Sequence, residues 1–185
     1  MTLMNKNSYM KFTIINRNKI SIIFFLIVAV CVCITSCGIY TFRDVSIPDN
    51  VKTIKINYIE NHASIVNPQL SSKITDQFKQ KVSSYIRKAS LVNSDNADYI
   101  IGGYVSNYSV STSGISSQVT ATNRLTVGVH LIFNNTLKNE VKEYDISHDF
   151  DFAATLTLTQ AENQLLSDII TNLSDEMFNR IFSSW

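Results

Sequence analysis

The sequence predicts a two-layer α/β (α+β) sandwich, a four-stranded mixed sheet with two helices packed on one face, in the order β-α-β-β-β-α. Three observations carry this. Apolar and polar residues alternate with period two in three separate stretches, two longer stretches repeat apolar residues at spacings of three and four, and the first helical stretch lies between two strands, where a right-handed crossover lays it on the sheet. Because both helices cover one face, the other is left polar and either meets water or lines something wet. At 185 residues and 45% hydrophobic, with 5 Gly and 2 Pro, the chain is one ordinary domain plus an extension and not a disordered tract.

Residues 1–36 read as a secretory leader. Lys6, Lys11, Arg17 and Lys19 precede an uncharged apolar run from Ile20 to Ile34, short for the roughly 20 residues of a membrane span. The run closes on Ile34-Thr35-Ser36-Cys37-Gly38, which resembles the lipobox of bacterial lipoproteins, an aliphatic residue and two small residues before Cys. That resemblance implies cleavage before Cys37 and acylation of its thiol and new amino terminus; a plain membrane anchor with a chance cysteine is the alternative. Cys31 and Cys33 leave with the leader, so the mature chain has no disulfide and depends on its core. Met10 offers a second start that gives a more usual leader length.

Charge is uneven. The leader holds four of the 16 basic side chains and no acid, so the rest carries 12 bases against 15 acids, a net charge of −3. That balance argues against a nucleic-acid partner, which calls for a clustered basic excess on the folded part.

Residues 37–50 form the lipidated Cys and a polar tether, and residues 51–185 a single domain. Val51 to Ile59 alternates as a strand, with Ile54, Ile56 and Tyr58 on one face. Asn67-Pro68 reads as a cap followed by proline at the first helical position, and the helix behind it aligns Leu70, Ile74, Phe78, Val82, Tyr85, Ile86 and Ala89 before ending near Ala89. Tyr99 to Val110 is a long strand whose Gly102-Gly103 suggests a bulge or a close backbone approach. A Ser-, Thr- and Gly-rich loop, Ser111 to Thr122, leads to a strand with Leu125, Val127, Val129, Leu131 and Phe133 on one face. The turn Asn134 to Asn139 makes a hairpin with a fourth strand, where Tyr144, Ile146, His148, Phe150 and Phe152 oppose Glu143, Asp145, Asp149 and Asp151. Thr159-Gln160-Ala161-Glu162 reads as a capping box, and the last helix presents Leu165, Leu166, Ile169, Ile170, Leu173, Met177, Phe178, Ile181 and Phe182 to the core.

This topology gathers both helix amino termini, the loops Glu60 to Asn67 and Ser111 to Thr122, and Arg124 at one pole. Helix amino termini favour anions, and a guanidinium can clamp a phosphate or carboxylate through two donors. The competing reading pairs Arg124 with Asp149 or Asp151 of the adjacent strand. The three histidines, His62, His130 and His148, are not at metal-ligand spacing on one element, and no nucleophile or phosphate-loop motif occurs. No enzyme, metal or cofactor is expected.

Several segments taken together resemble the LptE family of lipopolysaccharide-assembly lipoproteins in its Bacteroidetes form. They are Cys37-Gly38-Ile39-Tyr40-Thr41-Phe42, Val51-Lys52-Thr53-Ile54, Val66-Asn67-Pro68-Gln69-Leu70-Ser71, Asn123-Arg124-Leu125-Thr126 and Phe178-Asn179-Arg180-Ile181-Phe182-Ser183-Ser184-Trp185. The resemblance implies an outer-membrane, lipid-anchored subunit that plugs an LptD-type β-barrel, assists its assembly and binds lipopolysaccharide. Arg124 with Asn123 are the residues here that match a lipopolysaccharide contact, although Asp149 and Asp151 crowd the same end. A stand-alone periplasmic lipoprotein that binds glycan or peptidoglycan without a barrel is the alternative.

Overall fold

A computed structural model of the protein describes residues 47–113 and 122–183; the expected leader, Cys37, most of the tether, most of the Ser111 to Thr122 loop, and Trp185 lie outside the described residues. Two helices pack on a mixed sheet, as the periodicities predict. Strand β1 is Thr53–Ile56, β2 Glu60–Asn61, β3 Ser90–Leu91, β4 Tyr99–Ser113, β5 Thr122–Asn135 and β6 Glu140–Ala153; helix α1 is Leu70–Tyr85 and α2 Leu158–Phe182.

The sheet runs β3-β1-β4-β5-β6, with β2 paired to β4 beyond the end of β1. β1 is parallel to β3 and β4, and β4, β5 and β6 form an antiparallel meander. There are thus two strands more than the four expected. Both are two residues long, too short to leave a period in the sequence; the expected strand 51–59 stops at Ile56, and β2 falls in the expected loop Glu60 to Asn67, so the pairing with β4 is divided.

That division has a local cause. β1 ends with Ile56 beside Ile101, and β2 resumes with Glu60 beside Tyr104. The outer chain therefore takes four steps where β4 takes three. In the detour, Ile59 turns its N–H to Thr75 Oγ1 of α1 at 3.1 Å, and the Thr75 hydroxyl donates to the Ser71 carbonyl at 2.7 Å. Ile59 is buried and Tyr58 is 55% exposed, so the alternation expected to continue from Ile56 to Tyr58 breaks there.

β4 carries its own extra residue. Val105 faces Val129 and Asn107 faces Gly128, so Ser106 is the bulged residue. An extra residue reverses which side chains face the core: Tyr99, Ile101 and Val105 are buried before it, Tyr108 after it. Gly102-Gly103 is not the bulge on the β5 side. Gly103 is instead the close approach, because an added Cβ would collide with the His130 carbonyl oxygen.

α1 starts two residues later than expected. Asn67 Oδ1 accepts from the Gln69 N–H at 3.0 Å and the Asn67 carbonyl from the Leu70 N–H at 3.2 Å, so Asn67 closes a turn before the helix. The helix stops at Tyr85, short of Ala89, with Ile86 still bonded to the Val82 carbonyl. At α2 the cap is Thr157 with Gln160, whose side chains bond each other's backbone N–H; the expected Thr159 to Glu162 box is displaced by two residues. Both pairs satisfy the same spacing, and the chain turn at Leu156 picks the earlier one.

One core fills the space between the layers, from Leu70, Ile74, Phe78 and Val82 of α1 and Ile169, Leu173, Met177 and Ile181 of α2 to Leu125, Val127, Val129, Leu131 and Phe133 of β5. Ile47, within the expected tether, is only 1% exposed and belongs to it. Lys81 of α1 pairs with Asp175 of α2 and lies over the Phe178 ring, tying the helices together.

Candidate functional site

Since successive strand residues face opposite ways, the buried odd-numbered residues of β5 leave Arg124, Thr126, Gly128, His130, Ile132 and Asn134 on the face that the helices do not cover. Register extends each into a row: Ser111, Arg124 and Asp151; Ser109, Thr126 and Asp149; Tyr104, His130 and Asp145; Ile100, Asn134 and Val141.

Arg124 is committed to its row. Its Nε donates to Asp151 Oδ1 at 2.7 Å and its Nη2 to Asp151 Oδ2 at 3.1 Å, while Nη1 lies 3.5 Å from Asp149 Oδ2. Thr126 Oγ1 donates to the other Asp149 oxygen at 2.7 Å. The hydrogen bonds from Arg124 hold the Asp151 carboxyl below its ordinary range, and Asp151, with Asp149 behind it, raises the guanidinium. The competing sequence reading, an Arg124–acid pair, is the one the structure has.

The expected pole also divides. Arg124 lies on the open face, whereas the helices pack on the other, so the sheet separates it from their amino termini. Asn123, one residue away, faces the helix side and does not share Arg124's face. The start of α2 is already capped by Thr157 and Gln160, and one turn further in Tyr108 donates its hydroxyl to Glu162 Oε1 at 2.7 Å. Burial, then the Glu162 bond, pushes the Tyr108 phenol above its ordinary value, with an Asn67 side-chain bond acting the other way. One buried tyrosine thus joins both helix starts to β4.

A different group does converge on the open face. His62 stacks on Tyr104 with ring centroids 4.5 Å apart, and Tyr104 on His130 at 5.1 Å. Carboxylates flank the stack: His62 Nε2 lies 3.0 Å from Glu60 Oε2, His130 Nδ1 2.8 Å from Asp145 Oδ1, and His130 Nε2 3.4 Å from Glu143 Oε2. Alternation places His130 on the polar face, but only the β2–β4 pairing brings His62 to it. Among the described residues no trio of His, Cys, Asp or Glu is arranged to hold a metal. His148 instead sits half-buried beside Phe150, centroids 6.3 Å apart.

The fold and its polar face agree with a match of the LptE profile, described as lipopolysaccharide-assembly, to residues 51–181. The chain belongs to the LptE family. That family serves lipopolysaccharide assembly and is non-catalytic. The LptE match covers the domain from β1 to the last turn of α2. No curated protein sequence matches the chain. Similar solved structures include a minor lipoprotein from Acinetobacter baumannii, 15% identical with TM-score 0.48, the match covering 71% of this chain and 93% of that one. Another is the PelC dodecamer from Paraburkholderia phytofirmans, 14% identical with TM-score 0.45, covering 72% and 89% respectively.

Proposed function

We propose that the protein is an outer-membrane lipoprotein, anchored through acylated Cys37, that seats within an LptD-type β-barrel, assists its assembly and takes part in delivering lipopolysaccharide. The observation that carries this reading is the LptE match over residues 51–181. The uncovered face supports it. β4, β5 and β6 are 15, 14 and 14 residues long and present Ser, Thr, His, Arg and acids on that face. Such a ribbon, roughly 45 Å long at the rise of a strand, is suited to a water-filled barrel interior, which is polar.

Affinity purification of the tagged full-length protein from outer membranes in mild detergent tests the partnership. A heat-modifiable β-barrel at equal ratio is the expected result. A folded, lipidated protein that emerges without one overturns it in favour of a stand-alone glycan-binding lipoprotein.

Within this reading Arg124 and Asn123 are the lipopolysaccharide contacts. Arg124 engages a phosphate by exchanging its fork from Asp151, since an exposed ion pair is worth only about 0–1 kcal/mol. Asn123, on the other face, reaches the same ligand only at the strand end. Arg124→Glu should weaken lipopolysaccharide capture while leaving the fold intact, and unchanged capture removes Arg124 from the assignment.

A further inference from the structure

We propose that the depression on the open face beside Gly102 and Gly103 is a binding site for an uncharged saccharide unit. The break between β1 and β2 creates it. Where the outer chain leaves β4, a hollow of about 500 Å³ opens, lined by Asn57, Glu60, Ile100, Gly102, Ile132 and Asn134 among others. That volume lies within the range of small-molecule sites.

Its chemistry selects the ligand. Ile100 and Ile132 give an apolar surface for the C–H face of a pyranose. The two asparagines each offer an amide donor and acceptor, and Glu60 offers acceptor oxygens, the planar pairs that engage adjacent hydroxyls. No lysine or arginine lines the hollow. A phosphate or carboxylate would meet Glu60 without a compensating cation, so an anion is disfavoured. An acyl chain is disfavoured by the polar rim.

Two of these groups are held in place. Asn57 donates its backbone N–H to the Ile101 carbonyl at 2.8 Å, and its amide lies across Gly102, where an added Cβ would sit 3.3 Å from Nδ2. Glu60 is steadied by His62, itself stacked on Tyr104. The site is distinct from Arg124 and does not depend on a barrel partner.

Saturation-transfer NMR on the full-length protein in detergent, with three separate probes, tests the proposal. They are a neutral hexose–heptose oligosaccharide of the lipopolysaccharide-core type, free of acyl chains, phosphates and acidic sugars; N,N′-diacetylchitobiose, the neutral N-acetylated glycan unit; and inorganic phosphate as a competitor. Transfer to either saccharide is expected, and which of them binds names the source. Asn57→Ala should weaken the binding by about tenfold, the loss of one or two hydrogen bonds, and Gly102→Ala should weaken it by setting a methyl into the hollow against the Asn57 amide, each with an unchanged circular dichroism spectrum. Glu60→Gln, which keeps an acceptor, should retain more of it than Glu60→Ala. Absence of transfer from the folded protein to both saccharides overturns the proposal, as does undiminished binding in Asn57→Ala, or phosphate displacing the saccharide. The barrel purification fails or succeeds independently of these outcomes.

Discussion

Adjacent glycines at positions 102 and 103 serve different needs. At Gly103 a side chain would run into the backbone of β5, which cannot yield without disturbing the ladder; at Gly102 it would meet only the Asn57 side chain, 3.3 Å away at its nearest, and no backbone. Gly103→Ala should therefore destabilise the fold by about 1–3 kcal/mol, the usual cost of overpacking, and Gly102→Ala by much less, read from urea midpoints. Asp98 is a second residue with a calculable role. Its Oδ2 accepts the Lys52 N–H at 2.7 Å and the Thr53 N–H at 2.9 Å, fixing the start of β1 beside β4. These bonds, the Lys52 one foremost, lower the Asp98 carboxyl from its ordinary 3.8. A depressed folded value means that the stabilisation is present above pH 3.8 and is lost as pH falls through the lower folded value. The urea midpoint should thus drop less between pH 5 and pH 3 in Asp98→Asn than in the parent.

For the elements, caps and bulges decide where regular structure begins. Two Thr-x-x-Glu/Gln patterns overlap at the start of α2, and the helix uses Thr157 with Gln160. Thr157→Ala should lower stability by about 1 kcal/mol, and Thr159→Ala should leave the thermal midpoint nearly unchanged; the reverse order would restore the later box. The unused Glu162 is not idle, since it receives the Tyr108 hydroxyl. That bond exists only because the bulge at Ser106 turns Tyr108 inward. β5 and β6 were legible as periodicities, and the helix stripes likewise, while β4 was legible as a long strand interrupted by its glycine pair. β2 and β3 were not, because two residues held by backbone pairing impose no side-chain pattern.

In the whole domain, charge and polarity are segregated by face. The helix side buries one continuous apolar core, and the open side carries rows of hydroxyls, imidazoles and carboxylates with the Arg124 fork at one end. Among the described residues no helix is long and apolar enough to cross a membrane, and in the proposed reading acylated Cys37 carries the membrane attachment. Two or more acyl chains anchor firmly where one binds only marginally. Cys37→Ala should shift the protein out of the outer-membrane fraction and lower the mass of the mature chain by the acyl groups. Unaltered fractionation and mass would contradict lipidation.

The sequence by itself determined the fold class, the two helices and the faces of β5 and β6, because periodicity is local and the apolar set of each element must reach one core. It also presented both fates of Arg124, and named the acids that hold it. Tertiary structure alone decided between those fates and put Asn123 and the helix termini on the far side of the sheet from Arg124. It alone joined His62, Tyr104 and His130, which lie 26 to 68 residues apart. It also opened the hollow beside Gly102. Each of these depends on the register between strands distant in sequence, and register is set by nonlocal pairing and by single extra residues that no local pattern records.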